Sequence, residues 1–134
     1  MSRISSLSIG RCNSALVTEN HKVFLSGRND HCCLGQDSNQ VIISEMTELS
    51  FSLENIVAVA LGDKFQTYLL SESDRVYAMG RNEAFQLGTG NNLACDSPVE
   101  VQSLRGKGIH KIFSSDYSVA LSSYENLSMY VWGL

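Results

Sequence analysis

The segment Val76–Asn82, with the sequence VYAMGRN, has a close copy at Val23–Asn29 (VFLSGRN) and a partial copy at Met129–Gly133 (MYVWG). In each copy a short apolar run precedes a glycine, and successive glycines lie 53 residues apart. These glycines are Gly27, Gly80 and Gly133. A unit that recurs at a fixed spacing predicts a protein built from structural repeats.

Two further elements recur upstream of each copy, in the same order. The first is the set of apolar runs Ile4–Ile9, Ile56–Leu61 and Ile109–Phe113. The second comprises Ser14–Val17, Thr67–Leu70 and Val119–Leu121, the last of which is displaced by one residue. Chance similarity between short apolar runs would not preserve both order and spacing, so we interpret the chain as a true internal repeat.

The recurring runs are rich in Val, Ile, Tyr and Phe and are bounded by turn residues, a pattern that predicts β-strands. We predict strands near 4–9, 13–18, 22–26, 56–61, 66–70, 75–79, 98–103, 109–113, 117–122 and 128–132. The segment 41–49, which should match 98–103, has the weakest pattern. A helix over 45–61 is the alternative, and the β-branched residues of that segment disfavour it.

Short strands at a period near 50 residues are typical of β-propellers, whose blades are four-stranded sheets. We therefore predict an all-β fold, an incomplete β-propeller of about two to three four-stranded antiparallel blades. The chain is expected to form a single repeat domain, 1–134, with a partial repeat at 1–20, repeats at 21–73 and 74–126, and the start of a third at 127–134. A small β-sandwich with one closed two-sheet core is the alternative.

The motif of the second repeat identifies the kind of propeller. Val76–Gly90, followed by Ser97-Pro98-Val99, resembles the repeat of the regulator of chromosome condensation family. The family pattern is Trp-Gly, then Asn, then Gly-Gln-Leu-Gly, then a loop with a proline before an outer strand. The residues that carry the resemblance here are Gly27, Asn29, Leu34, Gly35, Gly80, Asn82, Gln86, Leu87, Gly88, Pro98, Trp132 and Gly133.

Several positions depart from the family pattern. The tryptophan before the glycine is present only as Trp132. Cys32 and Phe85 stand where the family has the glycine before Gln-Leu-Gly, and Cys33 replaces the glutamine of the first copy. The chain is thus expected to be a diverged member.

We assign structural roles to the glycines and asparagines of the motif. Gly27, Gly80 and Gly133 end strands where the backbone must turn sharply, and Asn29 and Asn82 can close the following turn with side-chain hydrogen bonds. Arg28 and Arg81 are the candidate partner-binding residues. Two guanidiniums at equivalent places on adjacent blades could accept a carboxylate or phosphate from a partner, and a solvated rim is the alternative.

Composition excludes several classes of protein. The chain has 134 residues, is 43% hydrophobic and carries a formal net charge of −4. This composition argues against disorder and against direct binding of nucleic acid. Neither an apolar run long enough for a membrane span nor a secretory signal is present in the sequence, so we expect a cytoplasmic or nuclear protein.

Catalytic, metal and cofactor sites are not predicted. The four cysteines form no CxxC pair, and we expect them to be reduced thiols. Gly88-Thr89-Gly90 lacks the lysine and the strand-to-helix context of a phosphate-binding loop. We therefore expect a protein that is not an enzyme and needs no cofactor.

The sequence favours a protein-interaction module that binds partners through blade loops. The resemblance implies two alternatives: a guanine-nucleotide exchange factor for a small Ran-like GTPase, or part of an accessory propeller of a ubiquitin ligase or kinase. Because 134 residues are fewer than four blades require, either the chain is part of a longer propeller or copies of it associate to complete a ring.

Overall fold

The computed structural model describes residues 2–51, 53–122 and 127–133. The strands are Ile4–Ile9 (β1), Asn13–Thr18 (β2), Val23–Arg28 (β3), Ile42–Glu48 (β4), Ile56–Leu61 (β5), Gln66–Ser71 (β6), Val76–Gly80 (β7), Cys95–Glu100 (β8), Ile109–Ser114 (β9), Ser118–Ser122 (β10) and Met129–Trp132 (β11). Two single turns of 3-10 helix lie at Asp30–Cys32 and Gln102–Leu104. No α-helix occurs in the described ranges, and none of their helical turns could cross a membrane.

The strands form three sheets of consecutive antiparallel hairpins. Their orders are β1-β2-β3-β4, β5-β6-β7-β8 and β11-β10-β9. This arrangement confirms the predicted all-β fold of two to three antiparallel blades. The helix considered over 45–61 is wrong, because β4 and β5 occupy most of that segment. The closed β-sandwich is wrong as well, because separate sheets stack through two cores.

The last strand of the second sheet differs from its prediction. The pattern predicted a strand at 98–103, whereas β8 begins at Cys95, ends at Glu100 and is followed by a 3-10 turn. Pro98 therefore lies inside β8 rather than in the preceding loop. Since β8 pairs only with β7 in its sheet, a residue without an N–H is tolerated on this edge strand.

Each sheet contains the end of one sequence unit and the start of the next. The first sheet, for example, runs from residue 4 to residue 48 and crosses the boundary between 1–20 and 21–73. The boundaries of the sequence repeats and the boundaries of the hydrogen-bonded sheets therefore lie at different points along the chain.

Two apolar cores hold the sheets together. The first core lies between the first two sheets and includes Leu25 and Val17 from one side and Leu61 and Leu69 from the other. The second core joins the second sheet to the third, with Tyr68 packing near Ile112. The second sheet thus buries both of its faces, which explains why strand β6 is buried at every residue.

A glycine near the end of the third strand of each full sheet permits a close approach of the backbone. Gly27 and Gly80 have φ angles of +112° and +109°. A Cβ at Gly27 would collide with the carbonyl oxygen of Cys12, and one at Gly80 with that of Phe65. The same carbonyls accept hydrogen bonds from the N–H groups of Arg28 and Arg81, at 2.9 and 2.8 Å. Glycine is therefore required at both positions.

Candidate functional site

Five loops gather at one end of the three sheets. Because the strands alternate in direction, the loop after the first strand of a sheet and the loop after its third strand lie at the same end. We call this end the loop face and define it as residues 10–12, 29–41, 62–65, 81–94 and 115–117. Both candidate arginines lie at its boundary, since Arg28 ends β3 and Arg81 follows β7.

A buried asparagine holds the long loop of the first sheet. The Asn29 amide nitrogen donates to the carbonyl oxygens of Gln36, Asp37 and Gln40 at 3.0–3.1 Å. Its amide oxygen accepts a hydrogen bond from the Leu34 N–H at 3.0 Å. One side chain thus fixes both ends of the loop.

Asn82 makes the same bonds in the second sheet. Its amide nitrogen donates to the carbonyl oxygens of Asn91 and Leu93 at 2.8 and 2.9 Å and to the Thr89 hydroxyl at 3.1 Å. Its amide oxygen accepts from the Leu87 N–H at 2.9 Å. The two loops are therefore rigid supports that present equivalent positions on adjacent sheets.

The other motif residues surround these two turns. Leu34 and Leu87 are fully buried, and Gly35 and Gly88 have positive φ angles of +65° and +70°. The buried side chain of Gln86 accepts a hydrogen bond from the Ala84 N–H at 2.8 Å. Trp132, before Gly133, packs edge-on against the Tyr68 ring at 5.7 Å between centroids.

Arg28 is paired within its own loop. Its Nε and Nη2 lie 2.7 and 2.9 Å from the two carboxylate oxygens of Asp30, and this bond raises the pKa of Arg28. The guanidinium also lies over the ring of Phe65, 5.6 Å from its centroid. The His31 ring is 6.2 Å from the same phenyl ring. A cation and two rings thus join the loops of the first two sheets.

Arg81 has an equivalent ion pair, with its Nη2 2.7 Å from a carboxylate oxygen of Glu83. The hydrogen bond from Arg81 lowers the pKa of Glu83. Neither arginine is therefore a free cation, and an anionic group of a partner would have to compete with Asp30 and Glu83. The structure connects the two arginines through Phe65, whose ring contacts Arg28 and whose carbonyl binds the Arg81 N–H.

A second cation–aromatic contact joins the next pair of sheets. The Lys64 ammonium lies 6.0 Å from the centroid of the Tyr117 ring and 3.7 Å from a carboxylate oxygen of Asp116. Phe65 and Tyr117 each occupy the position just before the second strand of a sheet. The sequence interpretation missed both aromatic residues, although their shared position relative to the strand was available as a signal.

Phe85 is an exposed aromatic residue on a strained backbone. It stands where the family motif has glycine, and its φ of +57° lies in the left-handed region that glycine favours. Cys32, at the equivalent place in the first loop, has a φ of +56°. The Phe85 side chain is nevertheless 58% exposed and gains little from burial. Strain without compensating packing is a feature of functional loops.

The thiols show no arrangement for chemistry in the described part of the chain. Burial raises the pKa of Cys33 to about 12, which disfavours the nucleophilic thiolate. All four cysteines are free thiols. Within residues 2–51, 53–122 and 127–133, no group of three His, Cys, Asp or Glu side chains is placed to hold a metal ion.

Comparison with known proteins identifies one repeat and several similar proteins. Residues 73–121 match the model of the regulator of chromosome condensation (RCC1) repeat. Over 92% of its length the chain is 28% identical to the human E3 ubiquitin-protein ligase HERC2, of which it spans 3%. Over 93% it is 32% identical to the Protein RCC2 homolog of Xenopus laevis, of which it spans 25%.

A solved structure shows the same fold. Prp20p of Saccharomyces cerevisiae, which binds Gsp1p and histones, superposes on 96% of this chain with a TM-score of 0.80 and 18% identity. The chain spans 30% of Prp20p. It therefore covers well under half of the length of Prp20p, of HERC2 and of the RCC2 homolog alike. Residues 73–121 are therefore a regulator of chromosome condensation (RCC1) repeat, and the chain as a whole is similar in sequence to HERC2 and RCC2 and in fold to Prp20p.

Proposed function

We propose that this chain is a non-catalytic protein-binding module of the nucleus or cytoplasm, and that it binds its partner through the loop face. The observation that carries the proposal is Phe85, an exposed aromatic side chain held on a left-handed backbone in a loop that Asn82 fixes. Aromatic residues are enriched at protein interfaces, and a rigid support holds such a residue ready for a partner.

The composition of the loop face supports the same function. Phe65 and Tyr117 within the loop face, and Arg28 at its boundary, belong to the residue types that are enriched at protein interfaces. Three cations at this end are paired with acids, Arg28 with Asp30, Lys64 with Asp116 and Arg81 with Glu83. Such a surface has little net field, so we expect recognition by shape and aromatic contact rather than by electrostatic capture.

Gsp1p is the natural first probe, because Prp20p binds it, and histones are the second. We would immobilise the chain and measure the Kd of Gsp1p for the wild type and for Phe85→Gly. Glycine relieves the left-handed strain, so the variant should fold as well as the wild type. Loss of the aromatic anchor should weaken binding by about tenfold or more.

Charge reversal gives a second, matched comparison. Arg28→Glu with Arg81→Glu places like charges beside Asp30 and Glu83 on the loop face and should weaken binding further. The control is Arg75→Glu with Arg105→Glu, because both arginines are ion-paired and lie at the opposite end of the sheets. Equal Kd values for the two double variants would exclude the loop face as the docking surface.

The same samples test the alternative of nucleotide exchange. The rate of nucleotide release from Gsp1p would be measured with and without the chain. Binding without acceleration supports a binding module, whereas acceleration that Phe85→Gly removes would assign exchange to the loop face. The similarity to HERC2 supports the further alternative of an accessory segment within a larger enzyme.

A further inference from the structure

The first and third sheets each leave one apolar face uncovered. The outer face of the first sheet, which we call the leading face, exposes Ile4, Leu7 and Ile9. The outer face of the third sheet, which we call the trailing face, exposes Lys111, Phe113, Met129 and Val131. Faces of this kind are where a further blade packs in a repeat protein.

The interface between the first and second sheets shows which residues pack against a leading face. Val59 and Leu61 of the second sheet correspond to Leu7 and Ile9, and both are buried against the first sheet. The N–H groups of Val59 and Leu61 donate to the hydroxyls of Ser6 and Ser8 at 3.4 and 2.9 Å. The two small hydroxyl residues therefore allow the inner strands to approach closely and satisfy an unpaired strand edge.

The positions of Ser6 and Ser8 can be followed through the three sheets by strand register. In each sheet, four consecutive residues of the first strand lie directly opposite residues of the second strand. Ser6 and Ser8 are the first and third of these four residues in the first sheet. The residues at these two positions are Ser6 and Ser8 in β1, Ala58 and Ala60 in β5, and Lys111 and Phe113 in β9. Both internal interfaces thus have small residues there, and the trailing face has two large ones.

The size difference makes the trailing face a poor match for a leading face. The Ser8 hydroxyl already lies at hydrogen-bonding distance from a backbone nitrogen of the next sheet, which leaves no room for a phenyl ring. Lys111 would also bring a charge against the apolar side chains of a leading face. The Phe113 side chain is 54% exposed, so it does not fold back into its own core.

We propose that Lys111 and Phe113 block head-to-tail association of this chain, and that the leading face is a docking site for an RCC1-type blade with serine or alanine at these two positions. A second wild-type copy lacks those residues on its trailing face. The proposal thus opposes the expectation that copies of the chain associate to complete a ring. The proposal concerns the sheet faces and does not depend on the loop face.

A gain of function tests the proposal. Lys111→Ser with Phe113→Ser gives the trailing face the residues of β1, so the leading face of a second copy should dock on it. Sedimentation velocity should show a monomer for the wild type and concentration-dependent oligomers for the variant, with a self-association Kd lower by about tenfold or more.

The control adds Leu7→Asp and Ile9→Asp to the double serine variant, which should return it to a monomer. If the double serine variant has a lower midpoint of thermal unfolding, Lys111→Ala with Phe113→Ala is used in its place. These alanines match Ala58 and Ala60. Wild-type oligomers that Leu7→Asp and Ile9→Asp dissociate would overturn the proposal. An alanine variant that folds and associates no more strongly than the wild type would overturn it too.

Discussion

The first and second sheets are copies of one unit, yet their equivalent residues have opposite exposures. Val59 and Leu61 are 5% and 2% exposed, whereas their counterparts Leu7 and Ile9 are 60% and 74% exposed. The side chains are similar, and only the neighbouring sheet differs. The core of this protein therefore lies at the interfaces between sheets and not within single sheets.

Truncation of a side chain should cost far more stability on the covered face of the second sheet than on the open leading face of the first. Leu61→Ala leaves a cavity between the first and second sheets and should lower the free energy of unfolding by about 2–5 kcal/mol. Ile9→Ala, at the equivalent open position, should change it by no more than about 0.5 kcal/mol. Urea unfolding of both variants measures the difference. Comparable losses would mean that the leading face is covered in solution.

The asparagine turns should not show this asymmetry, because their bonds are local to each sheet. Asn82→Ala and Asn29→Ala each remove a buried amide and leave several backbone groups without partners, at a cost of about 2–3 kcal/mol each. Thermal unfolding of the two variants gives the comparison. A much smaller loss for Asn29→Ala would show that the sheet with the open face is locally less stable.

The strands and the two turns were predictable because their signals are local. An apolar run that ends in Gly-Arg-Asn gives the same strand, the same shift of strand register before its glycine and the same asparagine-held loop at Val23–Asn29 and at Val76–Asn82. β8 was misplaced by about three residues because its start depends on its pairing with β7. Cys95 lies opposite Gly80, and the residues around Cys95 form no local pattern that predicts this pairing.

The contacts of the candidate site were not predictable in the same way. Arg28 and Phe65 belong to different sheets, and so do Lys64 and Tyr117, so each pair meets only because the sheets stack. The ion pair of Arg28 with Asp30 is local and could have been read from the sequence. Because of this ion pair, Arg28 is not a free guanidinium. The hypothesis for this surface therefore becomes one of paired charges and aromatic rings.

The two internal interfaces differ at one buried position of the second strand. Where the first sheet has Ala15, the second has Tyr68, whose hydroxyl donates to the Gln86 carbonyl and accepts from the Ser118 hydroxyl at 2.6 Å. This hydroxyl joins the second sheet to the third. Tyr68→Phe should therefore lower the free energy of unfolding by about 1–2 kcal/mol near neutral pH.

Alkaline pH should reveal the same hydroxyl. Burial raises the pKa of Tyr68 to about 12 from an ordinary value of 10.0. Above pH 10 the unfolded chain loses this proton while the folded chain keeps it, so stability falls as pH rises from 10 to 12. Burial also raises the pKa of Cys33, so this thiol adds to the loss of stability in the wild type and in Tyr68→Phe alike. Urea unfolding of Tyr68→Phe should show a smaller decline over this range, and identical declines would contradict the assignment.

The smallest expected effect concerns the hydroxyls that link the inner strands of the first interface. Ser8→Ala removes the acceptor of the Leu61 N–H, a bond of 2.9 Å, and should lower the free energy of unfolding by about 0.5–1.5 kcal/mol. Ser6→Ala, whose bond to Val59 is 3.4 Å long, is the matched control and should cost less. At the second interface the equivalent residues are Ala58 and Ala60, so alanine itself is compatible with close packing. A loss in Ser8→Ala therefore measures the hydrogen bond and not a steric change. If neither serine matters, small size alone is what the leading face requires of its neighbour.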